Sequence, residues 1–206
     1  MKNNLIMIAF FCIGCLAGVA GRFHSDMHDV SLYVLYALLL QVGVSIGSNK
    51  KLKELVKGIR LKMLLVPVAT ISGTLLFSCL AGFFLSRWSL AACLAVGSGF
   101  GYYSLSSILI TQFKTPSVGL QLASELGTIA LLANIFREMI ALLGTPFFRK
   151  YFGRLAPISV AGISSIDVLL PSIVRYSGKE MIPVAIFHGI IIELSVPVFV
   201  SFFCNL

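Results

Sequence analysis

The sequence predicts an all-α, polytopic membrane protein with about seven transmembrane segments, two of them interrupted. Three observations carry this prediction. Hydrophobic residues make up 58% of the 206 and charged residues only 12%, against roughly 45–50% and about 25% in soluble domains. Mean hydropathy is +0.97. The apolar residues gather in runs near the ~20 that a helix needs to cross the hydrocarbon core. With short loops, the whole chain, 1–206, reads as a single transmembrane domain with no room for a sizeable soluble one.

The first run, Leu5–Gly21, follows Lys2 and lacks a small-residue cleavage site, so it reads as a retained helix with Gly14 and Gly18 on a close-packing face. Ser31–Gly47 is the second run. Lys50, Lys51, Lys53, Lys57, Arg60 and Lys62 then concentrate in residues 48–62, which the positive-inside bias assigns to a cytoplasmic loop. The third run, Met63–Leu85, ends at the interfacial pair Arg87 and Trp88. Ser89–Phe113 is the fourth. The fifth lies within Ser117–Pro146 and is followed by Arg149, Lys150 and Arg154. Ala156–Val174 is the sixth and Met181–Cys204 the seventh. Seven simple crossings place the amino terminus inside and the carboxyl terminus outside. That count leaves Arg149, Lys150 and Arg154 outside, against the bias. Either the bias is loose here or a later segment is re-entrant.

Several function classes drop out. The net charge of +8 reflects loop lysines and arginines, so no nucleic-acid partner is expected. Cys12, Cys15, Cys79, Cys93 and Cys204 all sit in apolar runs and read as small hydrophobes. Gly97-x-Gly99-x-Gly101 lacks the final glycine of a dinucleotide fingerprint, Tyr102 standing there. No catalytic triad order, H-E-x-x-H or metal-ligand cluster is visible, so neither an enzyme nor a cofactor is expected.

Two runs look broken. The fourth contains Gly97-Ser-Gly-Phe-Gly101-Tyr-Tyr-Ser, and the sixth contains Gly162-Ile-Ser-Ser-Ile-Asp167-Val-Leu-Leu-Pro171. Irregular backbone at that depth is tolerated only in protein or beside a wet cavity, and paired interrupted helices mark substrate sites in transporters. Asp167 falls near the middle of the sixth run, where a charge costs about 3 kcal/mol. Glu138 follows Arg137 in the fifth; neighbours on a helix point about 100° apart and need not pair. Asn134 lies one turn before Glu138 on the same face. His188 and Glu193 lie in the seventh run; a membrane histidine either relays protons or bonds a carbonyl.

Four stretches together resemble the bacterial lysine exporters of the LysO type: Gly99-Phe-Gly-Tyr-Tyr-Ser-Leu-Ser, Asn134-Ile-Phe-Arg-Glu138, Ser165-Ile-Asp167-Val-Leu-Leu-Pro171 and Met181-Ile-Pro-Val-Ala-Ile-Phe-His188-Gly189. The resemblance implies an inner-membrane exporter of L-lysine and analogues such as thialysine, coupled to protons. It implies that Glu138 and Asp167 are the functional acids, and it suggests kinship with antiporter folds whose interrupted helices cross at the site. Glu193 does not match a family acid. Single-chain members carry additional amino-terminal helices, so the resemblance also implies either a separate small membrane subunit or a homodimer.

Lysine presents two ammonium groups and a carboxylate. Asp167 and Glu138, with Asn134, Arg137 and His188 around them, are expected to hold the cationic groups and the proton. A carboxylate cradle is expected at half-helix amino ends, drawn from Gly97, Gly99, Gly101, Tyr103, Ser104, Ser164 and Ser165. A monovalent cation–proton antiporter and a non-transporting subunit of a two-chain system are the alternatives.

Overall fold

The computed structural model describes residues 61–206 continuously and, before them, only the helical positions Ile13, Leu16, Ala17, Tyr33, Tyr36, Ala37, Leu40 and Val44. The first two runs as segments, and residues 48–60, lie outside the described residues. Contacts divide the chain into Met1–Ala37 and Leu38–Leu206, and every element named below belongs to the second unit.

The described elements are all helical. Helix α1 spans Leu61–Phe84, beginning inside the range read as the basic loop. Helices α2 (Leu90–Gly97) and α3 (Tyr103–Val118) form the first interrupted segment. Helix α4 spans Leu120–Phe152. It continues through Pro146 and exceeds the expected fifth run. Helices α5 (Ala156–Ala161) and α6 (Leu170–Ser177) form the second interrupted segment, joined by a 3-10 turn at Gly162–Ser165. Helix α7 spans Ile182–Cys204. Pro157, Pro171 and Pro183 each stand in the first turn of their helix, where a missing N–H costs nothing. Met63–Phe84, Leu120–Phe152 and Lys179–Cys204 are long and apolar enough to cross a membrane.

Both interruptions fall where the sequence places them, but the chain does not continue across. After α2 it turns back. Arg87, just before α2, pairs with Glu125 near the start of α4 at 2.7 Å. Trp88, Cys93 and Val96 run alongside Leu126, Ile129 and Ala133 of α4, so α2 descends parallel to α4. Helix α3 returns antiparallel to α4: Thr111 Oγ1 donates to the Ala123 carbonyl, and Gly127 packs on Ser107 and Thr111. The second segment behaves alike from the opposite face. Arg154, before α5, donates to the Ser177 carbonyl at the end of α6 at 2.9 Å and pairs with Glu180. Ile158 and Ala161 of α5 share a buried cluster with Leu169 just before α6, Ile173 of α6, Ala141 of α4 and Ala185 of α7. Both interrupted segments are thus helical hairpins whose two ends lie at the same end of α4, the arrangement of a re-entrant segment. The described residues thus form two helical hairpins pointing toward each other from opposite ends of α4, beside the long helices α1 and α7.

Candidate functional site

The hairpin tips meet. The Ile163 N–H of the second donates to the Phe100 carbonyl of the first at 3.1 Å. Two backbone features allow this. Phe100 and Gly101 both lie in the left-handed region, at φ 44° and 96°, so the chain reverses after α2. Gly162 (φ 60°) lies against the Phe100 carbonyl oxygen, in space that a Cβ would fill.

Helix α4 services both tips. Asn134, 3% exposed, accepts the Gly101 N–H at 2.7 Å and donates to the carbonyls of Ala130 and Val96. It thus satisfies the Gly101 N–H before α3, which would otherwise be orphaned, and adds a second donor to the Val96 carbonyl, which already accepts the Gly99 N–H. Arg137, under one turn further, donates to the Ser159 and Val160 carbonyls, both at 3.3 Å, and to Thr74 Oγ1. A cation at those carbonyls caps the carboxyl end of α5. Arg137 makes no ion pair among the described residues, consistent with its pointing away from Glu138.

Depth follows from α4. Glu125 sits with Arg87 and Trp88 at one rim, Arg87 lying over the indole ring. Glu138 is about 20 Å further along at 1.5 Å per residue, and Arg149 and Lys150 lie about 17 Å beyond it. Glu138 therefore lies about midway between the charged ends of α4. It is half-buried, beside the Ser164 hydroxyl and within electrostatic reach of Asp167. Asp167 lies in the turn of the second tip, before α6. Its carboxylate is exposed and accepts the Val168 N–H. The acid expected in mid-span thus stands at a break, with one face open. Tyr103 lies within reach of both carboxylates.

The remaining expected residues divide. Ser104 is half-buried in the first turn of α3, and Ser164 is buried beside Glu138. The expected cradle residues Gly97 and Gly99 face packed neighbours: a Cβ at Gly97 would collide with Ser78 of α1, and one at Gly99 with Asn134. His188 is fully buried. Its Nδ1 bonds Ser165 Oγ at 3.1 Å and its Nε2 bonds Thr70 Oγ1 at 3.0 Å. Ser165 also donates to the Ala185 carbonyl. This network ties the second tip to α1 and α7. Two residues that the sequence did not place in the site join it. Tyr102 is within electrostatic reach of Asp167 and Glu193, and Glu193 of Asp167. An isolated acid in an apolar run gives no sign of which tip it faces. No three His, Cys, Asp or Glu side chains among the described residues lie close enough to share a metal ion. Spread carboxylates of this kind suit an extended cationic ligand better than a caged ion.

A family profile described as "Lysine exporter LysO" matches residues 8–204. The chain is 32% identical to the lysine exporter LysO of Escherichia coli (strain K12) over 199 residues, 96% of this chain and 62% of that relative. It is 32% identical to a putative lysine exporter of Haemophilus influenzae over 176 residues, 85% of this chain and 84% of the relative. The chain thus spans under two thirds of the Escherichia coli protein's length. No solved structure matches.

Proposed function

Because the chain belongs to the lysine exporter LysO family, we propose that it carries L-lysine, and analogues such as thialysine, out of the bacterial cell across the inner membrane in exchange for protons. The single observation that carries the reading is the meeting of two oppositely directed hairpin tips beside Glu138 and Asp167. Re-entrant backbone and ionisable groups at this depth are the marks of a solute pathway.

Orientation follows from charge. Arg149, Lys150, Arg154, Arg175 and Lys179 gather at the face where the second hairpin enters, and the basic stretch 48–62 leads into α1 at that end. The positive-inside bias then makes this face cytoplasmic and, with two crossings before α1, the amino terminus cytoplasmic.

Export of one net positive charge against 100 mV costs about 2.3 kcal/mol. Asp167 and Glu138 remove that cost by holding either a proton or an ammonium group. Lysine leaves outward as a proton replaces it, and the proton leaves inward before the next lysine binds. The amides of Tyr103 and Ser104 at the start of α3 receive the lysine carboxylate. Asn134 and Arg137 hold the two tips in register, and His188 fixes the second tip against α1. The partner that the resemblance implies, a small membrane subunit or a second copy, is tested by co-purification.

In proteoliposomes, Asp167→Asn and Glu138→Gln are each expected to abolish exchange of labelled lysine while the protein still reaches the membrane. Normal exchange by either variant counts against the reading. A monovalent cation–proton antiporter would use the same acids, and it is favoured instead if sodium, not lysine, elicits proton release.

A further inference from the structure

Glu193 is more than nine-tenths buried, at 7% exposure, in a helix as apolar as any among the described residues. No described side chain forms an ion pair with its carboxylate, and its oxygens are not among the sealed, partnerless side-chain atoms, which are Arg149 Nε and Ser177 Oγ. A carboxylate in that setting is expensive and calls for a cation. Its position identifies where the cation comes from. Glu193 lies one turn beyond Gly189, on the same face of α7, and Gly189 packs directly on Ile163, Ser165 and Ile166 of the second tip. Further along, Phe199 meets Phe100 of the first tip edge-on at 6.2 Å between ring centres. Glu193 therefore stands on α7 between its contacts with the two tips.

The backbone adds a second acceptor. Pro197 has no N–H, so the helix bond that the Glu193 carbonyl would accept is missing. One residue thus offers a carboxylate and, facing the next turn, a carbonyl without its helical donor, and interrupted membrane helices hold cations with acceptors of these kinds.

We propose that Glu193 is a specificity-determining residue of the transport site and receives the second ammonium group of a diamino acid, while Asp167 and Glu138 exchange the other for a proton. The inference rests on the exporter reading above and adds to it the reason a dibasic solute is chosen. The three carboxylates are too dispersed for one metal ion. The two ammonium groups of lysine stand at opposite ends of its carbon chain and match such a spread. A neutral amino acid would leave Glu193 buried without a counter-charge, which is a penalty against the wrong solute.

The test measures exchange of labelled lysine by the reconstituted full chain, with unlabelled lysine or 2-aminohexanoate as competitor. The latter has lysine's backbone but ends in a methyl group. Glu193→Gln is expected to raise the KM for lysine about tenfold or more, as loss of a charged hydrogen bond does, with kcat changed less than about twofold. The preference for lysine over 2-aminohexanoate should shrink by a similar factor. Glu193→Asp, which keeps the charge but draws it back, should raise the KM less and retain the preference. If Glu193→Gln does not accumulate, Glu193→Asp decides alone: an unchanged KM overturns the inference. An unchanged KM and preference in Glu193→Gln, with normal wild-type exchange, overturns this inference and leaves the exporter reading intact. A wild-type chain that exchanges no lysine while moving sodium overturns both.

Discussion

The two hairpins share an architecture and differ in what their tips carry. The first tip, Ser98–Tyr102, contains no charge. Its reversal uses two residues with positive φ, Phe100 is fully buried, and Asn134 holds it from below with hydrogen bonds on either side of the turn. The second tip carries Asp167 on an exposed turn, buries Ser164 and Ser165 beside it, and is capped at α5 by a guanidinium. One tip is a neutral abutment fixed by an amide; the other brings a carboxylate to the meeting point. The lesson is that similar glycine-rich breaks can divide labour, one providing shape and the other charge.

The largest effect separates hairpins from crossings. In a cysteine-free background, Ser86→Cys and Ser117→Cys flank the first hairpin, and Tyr151→Cys and Lys179→Cys flank the second; all four positions are exposed. A membrane-impermeant maleimide added to intact cells should label the first two and reach the others only after permeabilisation. Labelling of Ser86→Cys and Ser117→Cys from opposite faces would break the comparison at its root.

The next effect sets the tips against each other. Gly162→Ala puts a Cβ against the Phe100 carbonyl oxygen and should leave no folded protein after detergent extraction, judged by size-exclusion chromatography. Gly101→Ala meets only atoms at 3.5 Å and beyond, so its cost is the left-handed backbone alone, about 1–2 kcal/mol. Equal behaviour of the two variants would mean that the tips do not touch.

Asn134→Ala should be destabilising by about 1–3 kcal/mol, the usual cost of leaving buried polar groups unpaired. It is read as a lowered midpoint of thermal unfolding in detergent, and no shift would remove Asn134 as the anchor of the first tip. The smallest effect is at the rim. Arg87 and Glu125 are 65% and 39% exposed, and Glu125→Gln should change stability by less than about 1 kcal/mol. A larger loss would show that the rim, not the tips, holds the first hairpin in place.

Much of this was legible in the sequence. Gly97–Gly101 and Gly162–Pro171 announce that helices stop, because glycine, serine and proline there remove helical bonds or disfavour helical φ. The distance of Glu138 from Glu125 follows from counting turns along α4. The direction taken after each stop was not legible. A glycine at φ 96° permits a reversal, but the reversal is decided by Asn134 accepting the Gly101 N–H and by Arg87 meeting Glu125, contacts between residues more than thirty positions apart. The role of Arg137 was hidden for the same reason, since its partners lie on α5 and α1. Glu193 looked like one more acid in an apolar run until Gly189 showed which wall it stands on.

A crossing helix is moored at both surfaces, so shifting it disturbs both compartments at once. Each hairpin here begins and ends at one end of α4: a rim contact ties the entry of the first to α4 and another joins the two ends of the second, and the tips meet through a backbone bond and the packing of Gly162 on Phe100. On the exporter reading proposed above, withdrawal of either leaf would unlatch one doorway and leave the opposite leaf shut. That is the asymmetry needed by any carrier that must never stand open from end to end.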